Sequence, residues 1–186
     1  MDVARLPPLG SHRMTPQLIL GIDPGPTTSG VVLYDPLQPK VLRADAKMPT
    51  PLMLDMLRKQ WLYDEPVSWH LSHVTLAVER VVSYGKRIGA ETIQTIEVIG
   101  RLLEMWEGRT AYAISRPDVL DAITGNRSCK EGPAWDRLCE MHGGDKAQAV
   151  GTKKAPGPLY GVGSHARSAL AVAVVAAQRI EKGIAP

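Results

Sequence analysis

The chain has 186 residues, 44% of them hydrophobic, and a formal net charge of +3, so it fits a single domain with a sizeable core and permits nucleic acid as a partner without requiring it. Its two cysteines, Cys129 and Cys139, exclude a disulfide framework and a zinc ribbon and predict free thiols in a reducing cytosol. No apolar run reaches the roughly 18 residues of a membrane span and no signal-peptide pattern opens the sequence, so we expect a cytoplasmic protein.

The first elements in chain order predict antiparallel strands and a helix. Residues 1–16 are aperiodic and rich in proline and glycine, and we interpret them as a flexible arm. Residues 18–34 predict a strand, a tight turn and a returning strand, and 41–47 predict a third strand. A helix is expected over 49–65, opened by Thr50-Pro51, with an apolar side made by Leu52, Leu54, Met56, Leu57 and Trp61.

The middle of the chain alternates between strands and helices. A second strongly apolar strand is predicted at 74–82, followed by a helix at 89–107 and a short strand at 111–116. Another helix is expected to begin at Pro117 and to end at Gly125, because proline suits the first helical turn and glycine the position after the last.

The last third of the sequence is less regular. Residues 126–163 are rich in glycine, lysine and proline and predict a flexible excursion around a short helix near 135–141. A final helix is predicted at 164–183, with Ser164 as its N-cap. The full order of elements predicts an α/β fold in which helices cover the faces of a mixed sheet.

Asp23 is the first candidate for a functional residue. It lies in an apolar strand, and an acid there is costly unless a hydrogen-bond donor or a cation compensates it. An alternative interpretation is that its side chain caps the turn that follows, as aspartate before Pro-Gly often does.

Glu79 and His165 are the next candidates. Glu79 stands in the strand at 74–82, and the first and fourth strands of a mixed sheet can be central neighbours, which would bring it beside Asp23. Paired carboxylates repel one another and commonly bind divalent cations, and two metal ions about 4 Å apart can support phosphodiester hydrolysis. His165, at the start of the last helix, would complete the ligands with a nitrogen that suits Mn²⁺ better than Mg²⁺, unless it is an ordinary surface histidine.

Three blocks of the sequence resemble RuvC-type Holliday-junction resolvases, of the RNase H-like or retroviral-integrase superfamily and in particular their phage or prophage branch. The block GIDPGPTTSGVV is similar to the family's first strand with its catalytic aspartate, here Asp23. The block LAVERVVSYGKRIGAETIQTIEVIGRLL is similar to the acid-bearing strand and the DNA-contacting helix after it, which assigns Glu79. The block SHARSALAVAVVA is similar to the terminal helix.

The resemblance implies an RNase H-like fold, with a mixed five-stranded sheet flanked by helices, in a single nuclease domain at 17–183. It implies Mg²⁺ or Mn²⁺ as the cofactor and four-way or other branched DNA as the partner, nicked symmetrically to leave 5′-phosphate and 3′-hydroxyl ends. Because a four-way junction has twofold symmetry, a homodimer is expected, without a membrane or a nucleotide cofactor. We predict that the helix at 89–107 forms the dimer face through Ile96, Leu103 and Trp106, although these side chains could instead pack on the sheet.

The terminal helix departs from the family's pattern. Where that pattern has two acids three residues apart, this chain has His165 and Ser168. Histidine can serve as a metal ligand, but serine is a weak and uncharged one, which puts the binding of one of two metal ions in doubt. Ser168 is nevertheless predicted to belong to the catalytic site, because residues three apart on a helix share a face.

Several basic side chains and one tyrosine are predicted to contact DNA. The resemblance suggests that Tyr84 stacks on an unpaired base and that Lys86 and Arg87 pair with phosphates, although a solvated basic turn is the alternative. In the excursion, the positions that suit neutralisation of a bent backbone, or that could match a functional lysine of the family, are Lys130, Lys146, Lys153 and Lys154.

Other functions stay open at this stage. A junction-binding protein of the same fold with weakened catalysis is the main alternative, because of Ser168. The turn IDPGPTTSG also resembles the first phosphate loop of sugar-kinase and actin-like ATPases, which need a second domain that 186 residues leave no room for. Nuclease-like proteins of ribosomal RNA maturation have similar ends but usually a shorter chain.

Overall fold

The computed structural model of the chain describes residues 18–59, 61–62, 69–83, 85 and 87–186. The predicted arm at 1–16 and two of the predicted DNA contacts, Tyr84 and Lys86, lie outside these residues. In the part of the chain that is described, no helix is both long and apolar enough to cross a membrane.

A mixed five-stranded sheet forms the centre of the fold. The described strands, in chain order, are β1 (Leu18–Asp23), β2 (Thr28–Asp35), β3 (Lys40–Pro49), β4 (Trp61–Leu62), β5 (Trp69–His70), β6 (Val74–Arg80) and β7 (Ala111–Ser115). The large sheet has the order β3-β2-β1-β6-β7, and β4 pairs separately with β5. Strand β1 is antiparallel to β2 and parallel to β6, so the mixed sheet predicted from the sequence is confirmed.

Helices cover both faces of this sheet. They are α1 (Thr50–Arg58), α2 (Ala90–Met105), α3 (Arg116–Thr124), α4 (Glu131–Gly143), α5 (Lys146–Val150) and α6 (Ser164–Glu181), with a short 3₁₀ turn at Leu71–His73. Alternation along β1 sorts its side chains between two cores: Ile19 packs on the α6 side, whereas Leu20 and Ile22 pack on the side of α1 and α2. Because successive side chains of a strand point to opposite faces, the apolar residues of β1 contribute to both cores.

Helix α6 lies very close to strands β1 and β2, and two glycines make this possible. A Cβ atom at Gly21 would lie 2.1 Å from the carbonyl oxygen of Ala169, and one at Gly30 would lie 2.3 Å from that of His165. Real Cβ atoms do not approach oxygen so closely, so any side chain at either position would push the helix away. The small residues therefore fix the height of α6, and of His165 on it, above the sheet.

The helix predicted over 49–65 is shorter in the structure. Helix α1 ends at Arg58, and Trp61 pairs with His70 in the small β4–β5 sheet, so the prediction is wrong for Trp61 and Leu62. Residues 60 and 63–65 of the prediction lie outside the described residues. The buried face of α1 consists of Thr50, Met53, Leu54 and Leu57, whereas Leu52, which we assigned to the apolar side, is exposed. The apolar residues Trp61 and Leu62 therefore do not extend the buried stripe of α1, because they pair as a strand instead.

The prediction that 126–163 is a flexible excursion is also wrong. The segment contains α4 and α5 and a bridge between Gly151 and Pro156, and the amide of Val41 on β3 donates a hydrogen bond to the carbonyl of Pro158 at 2.8 Å. Six of its apolar side chains belong to the core on the α6 side: Trp135, Leu138, Cys139, Ala149, Leu159 and Val162. The predicted short helix near 135–141 lies within α4.

The predicted dimer face on α2 needs correction. Trp106, next to the end of this helix, is buried in the core with 1% of its surface exposed, and Leu103 packs against the same core. Of the three residues that we assigned to the dimer face, only Ile96 is exposed. The alternative, packing on the sheet, is the observed one for the other two.

Candidate functional site

Asp23 and Glu79 end two neighbouring parallel strands. Ile22 of β1 is in register with Val78 of β6, and Asp23 and Glu79 are the next residues of these strands. Adjacent strands lie about 4.8 Å apart, so the two backbones that carry the acids are direct neighbours. Because Ile22 and Val78 face the core of α1 and α2, strand alternation directs both acids to the opposite face, where α6 lies.

The turn after Asp23 is held by hydroxyl groups. The Thr50 hydroxyl donates to the carbonyl of Gly25 at 2.8 Å and lies 2.9 Å from the Ser29 hydroxyl, which in turn accepts from the amide of Gly25 at 3.3 Å. The partner that the structure gives to the Asp23 carboxylate is instead His165, with Nδ1 of the imidazole 3.2 Å from Oδ2. The alternative in which Asp23 caps this turn is therefore not the observed one, and the carboxylate faces the α6 side.

His165 is the second residue of α6. Its side chain is 59% exposed, whereas that of Asp23 is 19% exposed, so the imidazole covers the carboxylate from the solvent side. The helix does not begin as predicted: Gly163 is the N-cap, and Ser164 is the first helical residue with φ at 38° and makes no capping hydrogen bond with its side chain. The expected serine cap is wrong because Ser164 already lies inside the first turn.

Arg116 joins the other two predicted site residues and was missed by the sequence analysis. Its Nη1 lies 3.3 Å from the Ser168 hydroxyl and 3.5 Å from Oε1 of Glu79. Arg116 directly follows β7, the strand that pairs with β6, so its backbone reaches the same edge of the sheet as the two acids. The signal that could have found it is this position: a cation directly after a parallel strand, as the first residue of the helix that has Pro117 in its first turn.

The two carboxylates are poorly compensated. The pKa of Glu79 is raised to about 7, first by burial and then by the negative charge of Asp23, while the charge and hydrogen bond of Arg116 oppose the shift. Burial likewise raises the pKa of Asp23, against the hydrogen bond and charge of His165 and the charge of Arg116. Both shifts mean that burial, together with the neighbouring carboxylates, disfavours the ionised forms more than Arg116 and His165 favour them.

The raised pKa of Glu79 predicts a measurable titration. In metal-free protein, the Glu79 carboxyl carbon observed by ¹³C NMR should titrate near pH 7, neutral below that pH and ionised above it. Asp23→Asn should lower the midpoint because it removes a negative charge, and Arg116→Gln should raise it because it removes a positive one. The control Asp55→Asn, in an exposed ion pair with Lys59, should leave it unchanged. A midpoint near 4.5 in every variant would contradict this arrangement.

A third carboxylate, Glu131, lies at the rim. It lines one cavity together with Asp23, Arg116 and His165, and its charge further raises the pKa of Asp23. Arg167, next to the predicted ligands on α6, does not join them: its guanidinium lies 4.7 Å from the ring centre of Trp135 and 3.9 Å from Glu131. The start of α4 therefore contributes an acid to the surroundings of the site, which the sequence analysis did not foresee.

The donors at this site suit a divalent cation in kind. Two adjacent carboxylates and an imidazole are ligands that Mg²⁺ and Mn²⁺ accept, and a cation would reduce the repulsion between the two carboxylates. Among the residues that the structure describes, no three His, Cys, Asp or Glu side chains form a ready-made metal-binding cluster. His165 is hydrogen-bonded to Asp23, and Arg116 stands between Glu79 and Ser168, so ligation would require these side chains to rearrange.

The other predicted DNA contacts that are described are exposed and dispersed. Arg87 lies in the loop before α2, Lys130 precedes Glu131 at the start of α4, and Lys146 begins α5. Lys153 and Lys154 lie in the turn closed by the bridge between Gly151 and Pro156. In the described part of the chain, none of these five side chains lines the cavities that hold the carboxylates. Their role in DNA binding stays a prediction.

The sheet order, with α6 across the ends of its two central acid-bearing strands, defines an RNase H-like fold. Within that fold, the chain is similar to T. thermophilus RuvC in complex with Holliday junction substrate, with a TM-score of 0.60 and 20% identity over 91% of this chain and 98% of that one. A Thermus thermophilus RuvC structure gives a TM-score of 0.52 and 21% identity over the same shares. The resemblance stated from the sequence is thereby confirmed for the fold, whereas no family model and no curated protein matches the sequence.

Proposed function

We propose that this protein is a metal-dependent, structure-selective endonuclease that resolves four-way or other branched DNA by symmetric nicking. The observation that carries the proposal is the pair Asp23 and Glu79, both partly buried, on neighbouring parallel strands near their ends in a RuvC-like fold. Paired carboxylates with raised pKa values are typical of functional sites, because a stable fold gains nothing from the repulsion between them.

Each residue of the site has a distinct part in this proposal. Asp23 and Glu79 would hold Mg²⁺ or Mn²⁺, with His165 as a third ligand once its imidazole turns from the carboxylate. When bound, the cation supplies activation of the attacking water and stabilisation of the leaving oxygen. Ser168, one turn along α6, would orient water or DNA by hydrogen bonding, since a hydroxyl both donates and accepts.

The proposed DNA surface uses the exposed cations around the site. Arg87 and the lysines of residues 126–163 would neutralise DNA phosphates. Such contacts give affinity for bent DNA with little dependence on its sequence. The proposed homodimer would match the twofold symmetry of the junction. Support for it comes from apolar side chains that stay exposed before and along the first turns of α2, namely Val82, Ile88, Ile93 and Ile96.

The decisive experiment is cleavage of an end-labelled four-way junction by the purified protein with Mg²⁺ or Mn²⁺. The control substrate is a linear duplex that has the sequence of one junction arm pair. We expect nicks at symmetry-related positions of the junction, none in the duplex, and none with a chelator present. Cutting of both substrates alike would contradict structure selectivity.

A junction-binding protein with weakened catalysis is the second candidate, because Ser168 is uncharged and hydrogen-bonded to Arg116. The same experiment separates the two functions. Tight binding of the junction without cutting in either metal would favour this candidate and contradict the endonuclease.

A further inference from the structure

Arg116 contacts two of the predicted site residues, Glu79 and Ser168. Its Nη1 lies within 3.5 Å of both Glu79 Oε1 and Ser168 Oγ, so one guanidinium nitrogen bridges a carboxylate and a neutral hydroxyl. Ser168 carries no charge, so it is a weak ligand for a second metal ion. The chain instead supplies its own cation to both groups, which offsets part of the repulsion between the carboxylates.

We propose that the guanidinium of Arg116 takes the place of a second cation, so that this site binds one divalent metal ion rather than two. The inference rests on the proposed endonuclease function and makes it more specific. Arginine keeps its charge at every relevant pH, and its planar fork of donors suits phosphate oxygens, so it can neutralise phosphate charge without a metal.

The backbone position of Arg116 is fixed by the fold. Ser115, the last residue of β7, caps α3 by accepting a hydrogen bond from the amide of Asp118 at 3.3 Å, and Pro117 stands in the first turn. Strand pairing aligns Ser115 with Arg80, one residue beyond Glu79. These contacts hold the backbone of Arg116 close to Glu79, within reach of its guanidinium.

The charge of the site supports one ion. Asp23, Glu79 and, at the rim, Glu131 bring three negative charges, which one divalent cation together with Arg116 balances with three positive ones. A second divalent ion would raise the positive charges to five and would lie against the guanidinium. Like charges at such short range in a partly buried site repel strongly.

The test counts metal ions directly, so it does not depend on activity. Crystals of the protein are soaked in Mn²⁺, and the ions at the site are counted by anomalous scattering. We expect one ion in the wild type and one in Ser168→Asp, whose new carboxylate would pair with Arg116. The double variant Arg116→Ala/Ser168→Asp should bind two, because it removes the competing cation and supplies the missing acid. The control Arg137→Ala, from a surface ion pair with Glu140, should bind one.

Two ions in the wild type would overturn the inference, and so would a single ion in the double variant, since Arg116 would then not be what excludes the second. If a variant fails to fold, a count of two ions in the wild type still overturns the inference. Two ions together with junction cleavage would leave the endonuclease intact and remove only the role of Arg116. No ion in the wild type together with no cleavage would contradict the proposed function itself.

Discussion

The Asp23→Asn variant is expected to lose junction cleavage while it keeps its fold and its binding of the junction. Asparagine has nearly the same shape but no charge, so the site would lose one of its two buried anions and with it the main attraction for a divalent cation. Loss of an outer partner of a metal ligand already costs about 10–100-fold in metal affinity or activity, and we expect a larger loss for a ligand. Single-turnover cleavage of a labelled junction, with binding measured in parallel, gives both quantities.

The fold of this variant should survive because burial disfavours the ionised form of Asp23. The raised pKa of the Asp23 carboxyl means that its negative charge destabilises the folded protein, so removal of the charge should not lower the melting temperature. The matched control is Asp55→Asn, which removes a carboxylate from an exposed ion pair on α1 and should cut like the wild type. Cleavage by Asp23→Asn at the wild-type rate would place the catalytic centre elsewhere.

The sheet could be predicted from the sequence because its signal is local. Apolar alternation identifies β1, β2 and β6 by itself, and both central strands carry one acid each near their ends. The interruption of helix α1 after Arg58 could not be predicted in the same way. Its apolar residues continue into β4, and only the pairing of Trp61 with His70 decides between helix and strand.

The excursion failed as a prediction for a compositional reason. Glycine, lysine and proline dominate 126–163, but the few apolar residues of α4 recur at helical spacing and are all buried, among them Trp135 and Leu138. Composition averages over a segment, whereas burial depends on the few positions that face the core. The packing of α4 also places Glu131 near Asp23, and no local sequence pattern predicts this position.

The candidate site shows the same division between local and long-range signals. The structure brings Asp23 to His165 and links Ser168 to Glu79 through Arg116, so the four residues selected from the sequence do converge, although their roles stay predictions. Arg116 itself was missed because an arginine before Pro117 resembles any exposed helix start. A long side chain acquires a role only through what the fold sets within its reach.

The second large effect is expected at Gly21, in the centre of β1. In Gly21→Ala the new Cβ would lie 2.1 Å from the carbonyl oxygen of Ala169 and 2.9 Å from the Cβ of Ala173, both on α6. Neither partner is a flexible side chain that could turn aside, so the helix must move away from the sheet. Overpacking of a core costs roughly 1–3 kcal/mol, and this contact should reach or exceed the upper end. Thermal unfolding measures it, at about 2–4 °C per kcal/mol for a chain of this size.

The control for this prediction is Gly100→Ala. Gly100 lies inside α2, where an added Cβ would meet nothing within 4 Å, so alanine there should stabilise the protein by roughly 0.5–1 kcal/mol through its better helix propensity. The same chemical change should thus have opposite signs at the two glycines. Equal melting temperatures for the two variants would mean that α6 is not seated on β1 at the height described. Since that height sets where His165 meets Asp23, the geometry of the candidate site would fall with it.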